Sequence, residues 1–275
     1  MTTSTTAGRP PTAGHGIPEN TRPWPLARHS LALAGRALTR TRRNPGVILD
    51  ALLLPVIFLV IFVYLFGGAV SGSTQAYLQF LLPGILVLTT VLVGQTATGV
   101  TLVTDMKKGV FDRFRSLPIS RSAPLLGSVL GDSVRYAVAI VMLFALGFAL
   151  GFRLENGVLP ALAAAALATL FGFALSWLTV LVAAVLRDET MVASLGFLLP
   201  FPLVFGTSMA APAETMPGWL QRWTELNPVS HAIEACRGLL LGGPVAEAVL
   251  MTLLWAGIFL AVLFPLAALA YRRRV

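Results

Sequence analysis

Six apolar runs, each near the roughly 20 residues that an α-helical crossing needs, constrain this chain more than any motif in it. They are approximately Val47 to Val70, Tyr77 to Val103, Ser128 to Gly151, Val158 to Leu186, Met191 to Met209 and Ala246 to Tyr271. The expected fold class is therefore an all-α membrane protein with six transmembrane helices. Composition agrees, since 56% of the 275 residues are hydrophobic and only 12% are charged, against roughly 25% charged in a soluble domain. The fourth run is long enough to tilt or to emerge from the bilayer. Pro200 and Pro202 are expected to kink the fifth.

Lys and Arg set the orientation. Sixteen fall in the N-terminal region, the 105–121 segment, Arg187 and the C-terminal Arg272–Arg274, while Arg153, Arg222 and Arg237 fall on the opposite side. The bias of basic residues to cytoplasmic loops places both termini and the 105–121 segment in the cytoplasm of a multi-pass protein. It also explains the basic patches without a nucleic-acid partner. Residues 1–23 are rich in Thr, Pro and Gly and read as a disordered cytoplasmic tail. From 24 to 43 an amphipathic helix is expected, with Leu26, Leu31, Leu33, Ala34, Ala37 and Leu38 on one arc. Arg28, Arg36, Arg40, Arg42 and Arg43 form the other, the pattern of a helix lying in the membrane surface with Trp24 as its interfacial anchor.

The segment Asp105 to Arg121 stands between two apolar runs and holds five basic residues, Lys107, Lys108, Arg113, Arg115 and Arg121. At about 100° per residue, Met106, Val110, Phe111, Phe114 and Leu117 share one side and Lys108, Asp112, Arg113 and Arg115 the other. Pro118 ends the helix. Topology alone accounts for the charges but not for the ordered apolar face, which suits a segment gripped by a cytoplasmic partner.

No chemistry of its own is visible. One cysteine, Cys236, and three scattered histidines, His15, His29 and His231, give neither a disulfide framework nor a metal site. A phosphate-binding loop needs Gly-Lys-Ser/Thr, yet the only lysines are Lys107 and Lys108. Gly206, Ser208 and Ala210 fall one residue short of an esterase elbow, so no catalytic residue is assigned. Asp50, Asp132 and Arg135 all lie near one membrane surface. They read as an interfacial set, with Asp132 and Arg135 three apart and placed to pair, rather than as a proton relay. Any energy source must be another chain, and the 105–121 segment is its natural contact.

The segment 210–245 carries two short amphipathic helices. Pro217, Trp219 and Trp223 belong to the first. Asn227 and Pro228 look like an N-cap followed by proline at the first helical position. Glu234 and Arg237 are spaced for a pair on the second, which Gly242 and Gly243 end. A hairpin dipping into the outer leaflet and a structured external cap both fit this pattern.

With these residues assembled, the chain resembles the type-2 ABC-transporter permeases, and within them the daunorubicin-resistance permease group of actinobacterial exporters. The resemblance rests on FLLPGILVLT from Phe80 to Thr89 and on GVFDRFRSLPISR from Gly109 to Arg121. It rests also on Pro212, Met216, Pro217, Gly218, Trp219 and Leu220, followed by Asn227, Pro228, Glu234, Arg237 and Gly242. It implies one permease domain over 24–275: an elbow helix at 24–43, six spans, a coupling helix at 105–118 and a re-entrant outer hairpin at 210–245. Gly109, Phe111, Asp112, Arg113, Phe114, Arg115, Leu117 and Pro118 would seat in a separate ATP-binding subunit. ATP and magnesium would be held by that partner, leaving no cofactor in this chain. Two permease chains, identical or related, would work in a bacterial cell membrane. The Leu, Val, Ala, Phe and Gly of the spans suit a hydrophobic or amphipathic substrate, such as an antibiotic or a lipid. The alternatives are a proton-coupled carrier or intramembrane enzyme acting through Asp50 and Asp132, and a membrane anchor without transport activity.

Overall fold

The computed structural model describes residues 45–107, 123–186 and 188–274, with side chains over 53–95, 103, 135–186 and 188–270. The described residues are helical, joined by short turns. The long helices are α1 (Pro45–Ser71), α2 (Thr74–Lys107), α3 (Ala123–Ala149) and α4 (Val158–Leu186). Then come α5 (Glu189–Leu198), α6 (Phe201–Phe205), a 3-10 turn at Ala213–Thr215, α7 (Gly218–Leu226), α8 (Pro228–Leu241) and α9 (Ala246–Arg274). Stretches of α1, α2, α4 and α9, namely Leu53–Ser71, Thr74–Gln95, Val158–Leu186 and Ala246–Ala270, are long and apolar enough to cross a membrane. The elbow residues 24–43 and the coupling residues from Gly109 to Pro118 lie outside the described residues.

Local signals set the element ends. Ser73 accepts a hydrogen bond from the Ala76 amide at 3.1 Å, opening α2 after Gly72, whose φ of +73° suits a residue without a Cβ. Asp188 caps α5 through the Met191 amide at 2.8 Å. Leu199 and Pro200 keep right-handed backbone between α5 and α6, so the chain bends rather than reverses there. Neither Pro200 nor Pro202 has an amide proton to continue the ladder. Together α5 and α6 rise about 25 Å at 1.5 Å per residue, short of a hydrocarbon core of about 30 Å.

The core is built around α2, which packs against α1, α3, α4, α5 and α8. Every residue from Leu81 to Gln95 is buried, so this helix has no solvent or lipid face over that stretch. Between apolar helices in lipid the attraction is close packing rather than water exclusion, and glycines supply the approach. A Cβ on Gly172 of α4 would stand 2.8 Å from the Thr90 carbonyl oxygen of α2. Gly94 of α2 lies under the Tyr136 hydroxyl of α3, and Gly147 of α3 under Leu82. Gln95 adds a polar tie, donating to the Leu175 carbonyl of α4 at 3.2 Å. Several hydroxyls inside the bundle bond back to their own helix, as Thr89 does to Ile85 at 2.7 Å and Thr252 to Ala248 at 2.7 Å, and are satisfied without water.

Helices α1 and α9 are peripheral. α1 packs on α2 and α3, and α9 on α4 and α8, with ring contacts such as Trp177 to Phe264 at 4.8 Å between centroids. On α9 Leu250, Leu254, Ile258, Val262 and Leu266 are exposed at four-residue spacing. A continuous apolar stripe of this kind marks a surface made for lipid or for another protein.

Candidate functional site

Side chains from α2, α7 and α8 meet where α6 ends. Gly206 to Ala210 opens the stretch linking the kinked α5–α6 segment to the short helices α7 and α8, and it is not helical. Its backbone groups have no regular ladder, so side chains must satisfy them.

Each part of the turn is held by a different element. Asn227, 2% exposed, donates to the Leu203 carbonyl at 2.7 Å and to the Gly206 carbonyl at 3.0 Å. Its other amide atom accepts from the Val229 amide at 2.9 Å, capping α8 ahead of Pro228 at the first helical position. One residue thus starts α8 and ties it to the end of α6. Trp223 of α7 lies over Gly206, where a Cβ would come within 2.5 Å of its indole nitrogen. Thr207 donates to Val204 at 2.6 Å. Arg237 of α8 donates to the Ser208 carbonyl at 3.0 Å. Met209 fills the space above Gly84 of α2, and Tyr77 of α2 donates to the Ala210 carbonyl at 2.6 Å.

Arg237 makes the widest connection. Besides Ser208 it reaches the Phe80 carbonyl of α2 at 3.4 Å, and its guanidinium lies 4.0 Å from the centre of the Phe80 ring, within cation–π range. Burial lowers its pKa to about 10 against an upward pull from Glu234 and Glu214, so it stays charged at neutral pH. The expected Glu234–Arg237 ion pair is not formed. Glu234 is exposed, and the arginine turns inward to the carbonyls. The part-buried guanidinium, with five N–H donors, places two of them on backbone oxygens of the turn and of α2.

The same end of the bundle is stitched further. Gln75 donates to the Gly151 carbonyl, and the Gln79 amide lies against the Arg153 backbone, in the orientation that pairs both groups, at 3.1 and 2.8 Å. Asn156 donates to Leu239 at 3.2 Å, and the Glu155 amide to Leu240 at 3.2 Å. Helix α2, the α3–α4 loop, the 206–210 turn and α8 therefore form one hydrogen-bonded rim. α7 presents Trp219, Trp223 and Leu226, at 73%, 42% and 73% exposure, as an apolar stripe at helical spacing. Pro217 stands just before this helix.

The structure does not bring the other charges into this site. Asp50 lies on α1 and Asp132 on α3, with side chains outside the described residues, and Arg135 is partly buried on α3. Among the described residues no three His, Cys, Asp or Glu side chains come together to hold a metal ion. Residues that carry the turn but were not singled out for it are Tyr77, Phe80, Gly84, Gly206, Ser208 and Met209. The signal available for them was Pro83-Gly84 inside an apolar run and Gly206 after two prolines.

The residues from 29 to 241 match the ABC-2 type transporter family. The chain belongs to that family. The match begins ahead of α1 and ends with the last residue of α8, so this ABC-2 chain carries the 105–121 segment, the clamped turn and both short helices within the family region. It is 40% identical over 239 residues to the daunorubicin resistance ABC transporter permease protein DrrB1 of Streptomyces coeruleorubidus, covering 87% of this chain and 84% of that one. It is 28% identical over 245 residues to the "Probable doxorubicin resistance ABC transporter permease protein DrrC" of Mycobacterium tuberculosis, covering 89% and 88%. The doxorubicin resistance ABC transporter permease protein DrrB of the same organism is 28% identical over 202 residues, covering 70% of each chain.

Proposed function

We infer that this ABC-2 chain is the permease subunit of an ATP-driven exporter that moves a hydrophobic or amphipathic compound, an antibiotic or a lipid, out of a bacterial cell. The observation that carries the reading is family membership together with 40% identity to a daunorubicin resistance permease along most of both chains. The walls support it. Leu53–Ser71, Thr74–Gln95 and Val158–Leu186 contain no Asp, Glu, Lys or Arg, which suits an apolar cargo and leaves those stretches without a carboxylate for proton coupling.

In this reading α1, α2, α3, α4, the α5–α6 pair carried on to Met209 by the turn after it, and α9 are six spans, and both termini are cytoplasmic, as the Lys and Arg bias supports. Residues 24–43 form the elbow helix. The α7–α8 end then faces outward, and 210–245 is the outer hairpin, with Trp219 and Trp223 at the level of the headgroups. Residues 105–118 dock on a separate ATP-binding subunit, which holds ATP and magnesium. Phe111, Phe114 and Leu117 supply the apolar plug and Asp112, Arg113 and Arg115 fix its register. Two permease chains and two ATP-binding chains form the working unit, whose spans rotate as rigid bodies when the ATP-binding chains close.

The test is a mild-detergent pull-down of the tagged chain from native membranes, with bound proteins identified by mass spectrometry. A P-loop ATPase in near-equal amount is the expected result, and a second permease in the eluate would separate a heterodimer from a homodimer. A chain recovered alone that moved substrate in liposomes without ATP would overturn the reading in favour of a carrier using Asp50 and Asp132.

A further inference from the structure

The rim around the 206–210 turn is held shut by side chains, and its part-buried arginine rests on neutral oxygens. Arg237 donates to the Ser208 carbonyl at 3.0 Å and the Phe80 carbonyl at 3.4 Å. No ion pair joins it to a carboxylate among the described residues. Its Nε is buried without a hydrogen-bond partner, as are the hydroxyls of Ser208 on the turn and Ser230 on α8. Buried donors left unmade cost free energy, so this closed arrangement is not the one that best satisfies its own polar groups.

Two carboxylates stand ready for a different arrangement. Glu234 lies one turn back on α8, and Glu214 lies in the 3-10 turn just beyond Ala210. Both are exposed, and both act on Arg237 electrostatically without touching it. Two further contacts close the seam between the turn and α2: Met209 on Gly84, with no Cβ between them, and Tyr77 on the Ala210 carbonyl. Neither is a covalent or ladder contact, so the turn can leave α2 without unfolding a helix.

We propose that Arg237 is the positioning residue that latches the exit: closed on the Ser208 and Phe80 carbonyls, and open on Glu214 and Glu234. The seam between the turn and the Phe80–Gly84 face of α2 is then the path by which an amphipathic cargo leaves. The exchange gives the guanidinium a counter-charge as it loses its carbonyls. The counter-charge offsets part of the cost of giving up the carbonyls, which is what a two-state gate requires. This inference rests on the export reading for its direction, but the latch itself can be read without ATP.

The experiment uses the full chain in membranes with its ATP-binding partner, carrying Cys236→Ser and Ser208→Cys, and follows labelling of position 208 by a membrane-impermeant maleimide. Position 208 is 4% exposed in the closed arrangement, so labelling is expected to be slow at rest and faster during ATP turnover. Arg237→Met, which keeps an unbranched apolar stem against Phe80, is expected to raise the resting rate about tenfold, the factor given by about 1.4 kcal/mol. Glu214→Gln with Glu234→Gln is expected to act in the opposite sense, slowing labelling during turnover. A purely structural arginine would not produce opposite signs from these two changes. Labelling of the Arg237→Met chain at the parent rate would overturn the latch, and so would a double-glutamine chain that opened as readily as the parent. Should Arg237→Met fail to reach the membrane, the double-glutamine chain decides alone, because both positions are exposed. Fast resting labelling of Arg237→Met, with ATP changing the rate in no chain, the parent included, would remove the ATP-driven reading and leave the latch to be judged on the resting rates alone. Export that continued while labelling never changed would remove the latch alone.

Discussion

Asn227→Ala removes three hydrogen bonds at one buried position, and the loss can be worked from the structure. The cap on the Val229 amide at 2.9 Å is worth about 1 kcal/mol. The bonds to the Leu203 and Gly206 carbonyls at 2.7 and 3.0 Å are worth about 1 kcal/mol each. The expected loss is about 3 kcal/mol, or about 6–12 °C in unfolding temperature for a chain of this size. Cys236, the only cysteine and fully buried, reports unfolding directly when a thiol-reactive dye is present during heating in mild detergent. Asn227→Asp separates the two roles. It keeps the capping oxygen, replaces both donors, and points a carboxylate at two carbonyl oxygens. Its expected loss is at least as large as that of Asn227→Ala. An Asn227→Asp chain that melted with the parent would refute the brace between α6 and α8, leaving only a helix cap. An Asn227→Ala chain that melted with the parent would refute both.

Three other outcomes are expected elsewhere in the chain. Gly172→Ala is expected to lower both membrane yield and unfolding temperature, because its Cβ meets the Thr90 carbonyl at 2.8 Å. Gly257→Ala, with nothing within 4 Å, should match or exceed the parent by the helix preference of alanine, about 1 kcal/mol at most. Burial pushes the Cys236 thiol up to about 12, above the roughly 8.5 of a free cysteine. The folded chain therefore keeps a proton that the unfolded chain releases. This contribution is fully present below about pH 8.5 and declines as pH rises towards 12. Between pH 7 and 10 the parent should lose unfolding temperature relative to Cys236→Ser; equal losses would contradict the assignment. Phe114→Ala with Arg115→Ala should leave the chain in the membrane while reducing transport per ATP hydrolysed, and unchanged transport would remove the coupling role of that segment.

Much of the helix layout was legible in the chain because it depends on local patterns. Val158–Leu186 is helix from end to end, as an uninterrupted apolar run predicts. The break between α5 and α6 falls at Pro200, and Gly242, with φ of +88°, ends α8. The site was less legible. Asn227 announces a cap by standing before Pro228, but nothing in its neighbourhood says that its other amide hydrogens reach Leu203 and Gly206. Arg237 and Glu234 have the spacing of a pair, yet the arginine prefers a carbonyl 157 residues away. Side chains that bond to backbone carry no pairing code, because every residue offers the same carbonyl. Gln75 and Gln79 read as ordinary polar residues until the α3–α4 loop is folded over them.

Helix α2 runs as 34 residues from the clamped turn to the threshold of the 105–121 segment. From Gly84 to Lys107 it rises about 35 Å, more than the hydrocarbon is thick. Within the export reading it would work as a lever arm turning about a contact inside the bundle. A tilt of about 10° moves one end by about 6 Å relative to the other over that rise, a displacement comparable to a full turn of helix. Gly172 sits hard against Thr90, so in that reading the short arm would carry the seam and the long arm the charged segment. A modest force spread over a large sweep at Lys107 would thereby be exchanged for a smaller, stronger movement at Gly84.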